Sequence, residues 1–360
     1  MGSIGGNSDM LKKYTEIVAC PDCKEKLQEI GINYQFFGFS CENCEIIFPI
    51  RDGIPILLGK RVRNYYLEHN LIDNIRQETA NHSLGWLAKY IKKTQNLLTD
   101  AKNEASWEWE DEEHWGKTYS KESMAVVRKN WNDRIWQREF LVKHIVVQTS
   151  FGGKTILDVG CGEGQDFRLL LSRYCDETTL YVATDISLAG LKLNRARNTH
   201  KNSLYILCSA DSLPVQKEAI DVICYFGILH HTEKKAATIP EDSKLLKRGG
   251  YILVHEPLWR PSPLLPSFLK PKTEQSAHEE TIREHELLAQ LGSEELKIIA
   301  ARRMHTIFYQ GMFYLFKNIL INNKILFRFI SNIDILLVKL VGPVIPFFKA
   351  GSTMLVLKKP

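Results

Sequence analysis

The sequence predicts an α/β protein built on a doubly wound, largely parallel sheet, with a small cysteine-held module ahead of it. Three observations predict this. Short apolar runs recur from Thr155 to His255, each followed at its end by polar or glycine residues. Gly160, Gly162 and Gly164 follow the first run and precede a stretch of helical spacing. Two Cys-x-x-Cys pairs lie near the N-terminus, outside the region of the runs.

Thr155–Val159 is apolar apart from one acid, as suits a strand buried on both faces of a parallel sheet. Phe167, Leu170, Leu171 and Tyr174 recur at i, i+3, i+4 and i+7, one face of a helix. The glycines therefore occupy a strand-to-helix turn, where the chain turns tightly and a ligand can touch backbone. A dinucleotide loop is the competing reading. Here the third glycine comes one place early, Gln165 stands at the sixth position, and Asp158 would repel a pyrophosphate. A ligand with a cationic or hydroxylated end fits better.

The second run, Leu180–Thr184, ends in Asp185, the position of a carboxylate that accepts ribose hydroxyl protons. The third, Leu204–Cys208, leads into Ser209-Ala210-Asp211-Ser212-Leu213. The fourth, Ile220–Phe226, runs into Gly227-Ile228-Leu229-His230-His231, and the fifth, Tyr251–His255, follows a turn at Lys247-Arg248-Gly249-Gly250. Ligand-type residues at successive strand ends place a site along the carboxyl edge of the sheet.

Taken in order, DVGCGEG, ATDIS, CSADSLP, YFGILHH and LLKRGGYILVHEP resemble the S-adenosylmethionine-dependent (SAM) methyltransferases of the Rossmann-like, type 11-like class, over about Lys154 to Pro257. The resemblance implies that Asp158, Gly160, Gly162 and Gly164 hold the methionine part of SAM. It implies Asp185, with Ile186 beside it, at the ribose, Asp211 and Ser212 at the adenine, and Phe226 and Gly227 at the pocket floor. Arg248 departs from the family, which has proline in this turn; a changed turn is the expected consequence. Leu296–Thr306 and Met354–Lys358 are candidate sixth and last strands, so a seven-stranded sheet is expected, with Thr281–Leu291 as a helix before it closes.

At 360 residues the chain can bury a large core and suggests two domains. Hydrophobic content of 44% and charged content of 25% are those of an ordinary globular protein. Met1–Met10 reads as no signal peptide, and no stretch of 18 apolar residues suggests a span. Four of the eight cysteines, Cys161, Cys175, Cys208 and Cys224, read as small buried residues. The other four are Cys20, Cys23, Cys41 and Cys44. Two knuckles with 17 residues between them make a closed tetrahedral sulfur site suited to structural zinc, with no open position for catalysis. A module this small would take folding energy from the metal, on the order of 10 kcal/mol.

IVACPDCKEKL through FSCENCEIIFPIRDGIPILL, Ile17 to Leu58, resembles the zinc ribbon of the tRNA-methyltransferase activator family. That implies β hairpins around zinc, with Phe48-Pro49-Ile50 and Ile54-Pro55-Ile56 extended. The expected organisation is a zinc-ribbon module over 1–60, a helical and aromatic connecting region over 61–138, and a methyltransferase domain over 139–360 with a helical insertion at 310–350. Six of the seven tryptophans lie between Trp86 and Trp136, and Tyr119, Trp131 and Arg134 are candidate lid residues. Trp131–Val147 fits a helix packed on the sheet through Ile135, Val142, Ile145 and Val146.

Methyl transfer from a sulfonium is an in-line displacement in which the protein mainly orients the reactants, a contribution of roughly 7–11 kcal/mol. A base is needed only where the nucleophile starts protonated, and His231 and His230 are the candidates. The leading reading is a SAM-dependent methyltransferase acting on a small-molecule, sugar or lipid-linked acceptor. The alternatives are an rRNA or tRNA base methyltransferase and a non-catalytic SAM-binding partner protein. Nucleic acid is disfavoured because Met1–Lys60 has six basic and eight acidic residues, and Tyr225-Phe226-Gly227-Ile228 lacks the motif of base amino-methylation.

The formal charge of +5 is uneven: Ala301–Pro360 holds nine Lys or Arg and one Asp. Apolar runs such as Met312–Phe316 and Ile335–Val338, broken by Lys317, Lys324, Arg328 and Lys339, suit an interfacial helix in 310–350. The expectation is a cytoplasmic protein. For the insertion, packing on the sheet edge or on a second subunit is the leading reading, and peripheral contact at the inner face of a membrane is the alternative.

Overall fold

The computed structural model describes residues 8–32, 35–59, 88–94, 132–146, 150–258, 282–291, 295–320, 322–344 and 350–360. Most of the connecting region, the lid candidates Tyr119 and Trp131, and the proline-rich loop after Leu258 lie outside the described residues.

A seven-stranded sheet forms the body of the protein. Its strands are β5 (Thr155–Val159), β6 (Leu180–Asp185), β7 (Ser203–Leu207), β8 (Ile220–Phe226), β9 (Leu246–Pro257), β10 (Lys297–Met304) and β11 (Ser352–Lys358). They lie in the order β10-β11-β9-β8-β5-β6-β7. The pairs β7–β6, β6–β5, β5–β8 and β8–β9 are parallel; β11 runs antiparallel between β9 and β10. The order reverses between β5 and β8, so the crevice at their carboxyl ends is the topological switch point. All five residues of β5 are buried, as its unbroken apolar run requires.

Local chemistry sets the boundaries. Gly249 at φ 73° is an irregularity inside one long β9, so the turn expected at 247–250 is a kink within a strand. The helix expected from Phe167 to Tyr174 breaks at Leu170, whose backbone leaves helical geometry. A short α3 (Gln165–Leu169) ends there and a 3₁₀ turn, Leu171–Tyr174, continues. Phe167, Leu170 and Leu171 are buried as their spacing predicts. The helix α2 (Asn132–Val146) lies against β9 and β11, with Ile135, Val142 and Ile145 buried. After β6 comes α4 (Leu188–Arg197), capped by the Ser187 hydroxyl, which accepts from the Gly190 amide. Further on are α5 (Thr238–Asp242) and α6 (Glu284–Leu291), the latter starting three residues after the expected Thr281. Two helices, α7 (Ile307–Leu320) and α8 (Lys324–Leu340), fill the insertion between β10 and β11.

The N-terminal module is a helix, α1 (Ser8–Ile17), and a four-stranded antiparallel sheet of β1 (Gln28–Ile32), β2 (Gln35–Cys41), β3 (Ile46–Arg51) and β4 (Ile54–Pro55). Asp52 and Gly53, both at positive φ, form the two-residue turn between β3 and β4 that suits the strand twist. The module shares one hydrophobic core with the large sheet, from Tyr14 and Phe48 through Leu157 to Leu357. It meets the large sheet at its β7 edge: Ile56 bridges Leu207, and the Leu57 amide donates to the Leu207 carbonyl at 2.8 Å. Val18 bridges Val215 just beyond. The Tyr14 hydroxyl donates to the Tyr205 carbonyl and accepts from the Tyr205 amide, both at 3.1 Å. An edge strand offers unpaired backbone groups, and here the ribbon takes some of them.

Candidate active site and metal centre

The glycine turn after β5 is pressed between two neighbours. Gly160 and Gly164 have φ of 64° and 72°; a Cβ would lie 2.5 Å from the Ile228 side chain at the first and 2.1 Å from Asn194 at the second. Strain and space both demand glycine. The turn is fixed to β6 by the Cys161 amide, which donates to the Thr184 carbonyl at 3.0 Å, and by the Gly162 amide, which donates to Asp185 Oδ2 at 2.7 Å. Asp185 Oδ1 accepts from the Ser187 amide at 2.8 Å. One carboxylate thus ties the glycine loop to the start of α4. Burial raises the Asp185 pKa to about 6, against the lowering effect of those backbone donors. Ile186 is half-buried between them, packed against the core.

Asp158 is buried at the end of β5 and accepts from the Tyr181 hydroxyl at 3.0 Å. Tyr181 accepts in turn from Asn194 Nδ2 at 3.1 Å and stacks on Phe167 with ring centroids 3.7 Å apart. Burial, and next the charge of Asp166, push the Asp158 carboxyl up to about 8.

Asp211 and Ser212 follow β7. The Asp211 carboxylate accepts from the amides of Glu233 at 3.1 Å and Lys234 at 3.0 Å, bracing the segment beyond β8. The Ser212 hydroxyl donates to the Pro21 carbonyl at 2.6 Å, and Lys24 Nζ donates to Ser212 Oγ at 3.2 Å and to the Leu213 carbonyl at 3.0 Å. Pro21 lies inside the first Cys-x-x-Cys knuckle and Lys24 just after it. The ribbon therefore clasps the loop expected at the adenine, a connection that sequence spacing cannot express.

After β8, Gly227 has φ 78° with only ordinary contacts around a would-be Cβ, so backbone geometry alone selects glycine there. His230 is buried and its Nδ1 lies 2.8 Å from Glu256 Oε2. The other Glu256 oxygen accepts from the amides of Ile228 at 2.8 Å and Leu229 at 2.9 Å. A carboxylate accepting two N–H groups acts as an acceptor, so His230 Nδ1 carries the proton and Nε2 is the basic nitrogen. His231 is half-buried, its ring centroid 4.0 Å from that of His230.

Sequence reasoning missed Arg138. It is buried on α2 and reaches four groups at the carboxyl edge. Its Nη1 forms an ion pair with Asp166, Nη2 donates to the Phe226 carbonyl at 3.2 Å, and Nε donates to His255 Nδ1 at 3.1 Å. Its guanidinium also lies 4.8 Å from the centroid of the Phe226 ring. Burial first, then the Arg138 charge, hold the His255 pKa well below its ordinary value. A signal existed: Arg138 falls in the stripe Ile135, Arg138, Val142, Ile145, where a charge on an apolar face needs buried partners. Arg134, the lid candidate, is exposed on the same helix.

The residues present fit SAM in kind. A glycine turn and carboxylates at successive strand ends suit a cationic, hydroxyl-bearing ligand. Two of those carboxyls have raised pKa values that a ligand cation would bring down.

In the ribbon, the four sulfurs of Cys20, Cys23, Cys41 and Cys44 all lie within 4.8 Å of one another. Cys23 and Cys41 are 3.4 Å apart, Cys20 and Cys44 3.9 Å. Zinc–thiolate bonds of about 2.3 Å in a tetrahedron put sulfurs roughly 3.8 Å apart, so the set fits zinc. Lys24 and Glu45, each following the second cysteine of its knuckle, both have positive φ, giving the two knuckles matching turns. Burial pushes the Cys44 thiol up to about 12, a penalty that a bound divalent cation offsets.

Comparison with known proteins agrees with this geometry. Residues 157–254 match the family model described as a methyltransferase domain, and residues 12–53 match the Trm112p-like protein family. The chain thus carries a methyltransferase domain of Rossmann-like fold behind a Trm112p-like module with a four-cysteine cluster. An uncharacterized protein of Methanocaldococcus jannaschii is 30% identical over 126 residues, 35% of this chain and 43% of that protein. The ubiquinone/menaquinone biosynthesis C-methyltransferase of Xanthomonas oryzae pv. oryzae is 30% identical over 128 residues, 34% of this chain and 48% of the relative. The chain therefore spans less than half the length of these curated relatives. Among solved structures, a chain of the complex containing the Haloferax volcanii Trm112 methyltransferase activator has a TM-score of 0.44 at 14% identity, covering 66% of this chain and 96% of that one.

Proposed function

We propose that the protein is a SAM-dependent methyltransferase acting on a small-molecule, sugar or lipid-linked acceptor. The observation that carries this reading is the placement of Asp158, Asp185, the glycine turn and the partners of Arg138 at or next to the carboxyl ends of adjoining strands, around the switch point between β5 and β8. SAM supplies an electrophilic sulfonium methyl, open to in-line attack. In this reading Asp185 receives the ribose hydroxyls and orders the glycine loop around the methionine end. Asp158 faces the cationic end of the ligand, and Asp211 fixes the loop on the adenine side. Ser212 joins that loop to the ribbon, Ile186 packs beneath it, and Phe226 with Gly227 forms the floor. Arg138 holds the floor, α3 and β9 in register.

For an acceptor that starts protonated, His230 is the candidate base, because Glu256 holds its ring in place and sets its tautomer. His231 packs beside it and shapes the same wall. Cys20, Cys23, Cys41 and Cys44 would hold zinc, which would close the ribbon, and Pro21 and Lys24 join the ribbon to the adenine loop. The test is a labelled-methyl transfer screen against lipid extract, small metabolites and RNA kept apart. Transfer into the lipid or metabolite fraction is expected; labelling confined to RNA would replace the acceptor class, and no SAM binding by calorimetry would end the reading.

A further inference from the structure

The helix pair α7–α8 has two apolar faces. The inner face is built from Tyr309, Leu320, Phe327 and Ile330, a small core of its own, with Trp136 of α2 packed against it. The outer face is also apolar. Ile325, Phe329, Leu336 and Leu340 follow at spacings of four, seven and four along α8, which places them in one stripe. Leu315 and Ile319 add the exposed side of α7. Ile325 is 83% exposed, Leu315 70% and Leu340 63%, so among the described residues nothing covers them. Single exposed apolar residues are ordinary; a two-helix stripe of them marks a contact surface.

Charge identifies the occupant. Residues 307–344 contain Lys317, Lys324, Arg328 and Lys339 but only one carboxylate, Asp334. Asp334 is fully buried and accepts from the amides of His305 at 2.6 Å and Thr306 at 3.0 Å. The outward surface of both helices therefore carries no carboxylate, and Lys339 is exposed on it. Lys324 and Arg328 sit at the rim, where they and Arg173 converge on the single carboxylate of Glu139, leaving a local positive excess. We propose that the outer face of α7–α8 docks on an anionic lipid bilayer, with the apolar stripe in the interface and the basic rim at the headgroups. A second copy of this chain fits poorly: a two-fold contact would set basic rim against basic rim with no carboxylate on these helices to pair. Among the described residues no helix is long and apolar enough to cross a membrane, so the contact is interfacial.

The same element reaches the proposed crevice. Asp334 on α8 holds His305, whose Nε2 lies 2.8 Å from the Gln137 side chain, one residue from Arg138. Met304 pairs with Ser352 and Ser352 with Pro257, so the helices leave the sheet at the carboxyl edge that carries the site. Docking would place that edge beside the lipid, the route an acceptor with a lipid anchor requires; this last consequence rests on the proposed function, the docking itself does not.

The experiment is co-sedimentation of the full-length, zinc-loaded protein with phosphatidylcholine vesicles, with and without phosphatidylglycerol, at low and high salt. Binding to the anionic vesicles alone, weakened by salt, is expected. Phe329→Asp and Lys339→Glu should each lower partitioning by roughly ten-fold, while Ile298→Ser, an exposed apolar residue on β10 outside the stripe, should leave it unchanged. Circular dichroism melts and SAM calorimetry on each variant report folding and the cofactor site separately. Protein that binds SAM yet stays in the supernatant overturns the docking proposal alone. So does a concentration-dependent dimer that Phe329→Asp dissolves without any vesicle binding, which would assign the stripe to a second copy.

Discussion

Arg138→Met removes a buried cation that joins α2 to α3, β8 and β9 at the carboxyl edge. The substitution keeps the aliphatic stem and much of the volume, so packing changes little. It leaves Asp166, 14% exposed, without its ion pair, and strips a donor from the Phe226 carbonyl and from His255 Nδ1. Breaking a buried pair from one side costs about 3–5 kcal/mol, and each abandoned buried acceptor is worth about 1–3 kcal/mol, terms that overlap. A loss of about 3–5 kcal/mol is therefore expected, a large share of the roughly 5–15 kcal/mol that holds a domain folded. Urea unfolding followed by far-ultraviolet circular dichroism measures it, and Asp166→Asn alone and in combination completes the cycle. Because a neutral amide in place of the Asp166 carboxylate needs no cation beside it, the double variant should recover part of the loss. The same change bears on pH. His255 has a folded pKa well below 6.5, so the folded state binds fewer protons than the unfolded one as pH falls through that value, and stability drops there. Burial is the first cause and Arg138 the second, so in Arg138→Met the His255 resonance should titrate higher and the acid loss should shrink. A change within about 0.5 kcal/mol of the parent, or strictly additive variants, would refute the assignment of Arg138 as the keystone of this edge.

Asp185→Ala should weaken SAM binding by about 2–3 kcal/mol, since ribose contacts and the Gly162 anchor go together. With the Asp185 pKa raised to about 6, binding to its ionised form should fall about ten-fold between pH 7 and pH 5; a flat profile by calorimetry counts against its role. Purified protein should carry one zinc per chain. Because ribbon and sheet share a core, Cys41→Ser should lower the melting of the whole protein and slacken SAM binding through Ser212, rather than unfold the module alone; two separate transitions, with that of the sheet unmoved, would be the contrary result. His230→Ala should reduce turnover on a protonated acceptor about 10²–10⁴-fold, and Glu256→Gln, which loosens the hold on the ring, should reduce it by less. Unaltered rates in both variants would move the base elsewhere.

The strands at the centre were legible because their residues speak locally. An apolar run such as Thr155–Val159, ending at glycines, suits a strand buried on both faces, and Gly160 with Gly164 marks the tight turn after it. The paired cysteines declared their metal site by spacing, since each knuckle is four residues long and needs no distant partner to define it. Asp185 at the end of its strand belongs to the same class. Tertiary structure alone decided what depends on distant parts of the chain. Arg138 meets Asp166, Phe226 and His255 only when α2 lies across the carboxyl edge. Glu256 selects the tautomer of His230 only because β8 and β9 are parallel neighbours. Ser212 answers to Pro21, 191 positions away, because the ribbon docks at β7. On α8 the sequence shows apolar residues all round, and only packing decides that Phe327 and Ile330 face inward while Ile325 and Phe329 face out. Periodicity records which faces a segment offers; the partner that covers each face is set by where the rest of the chain arrives.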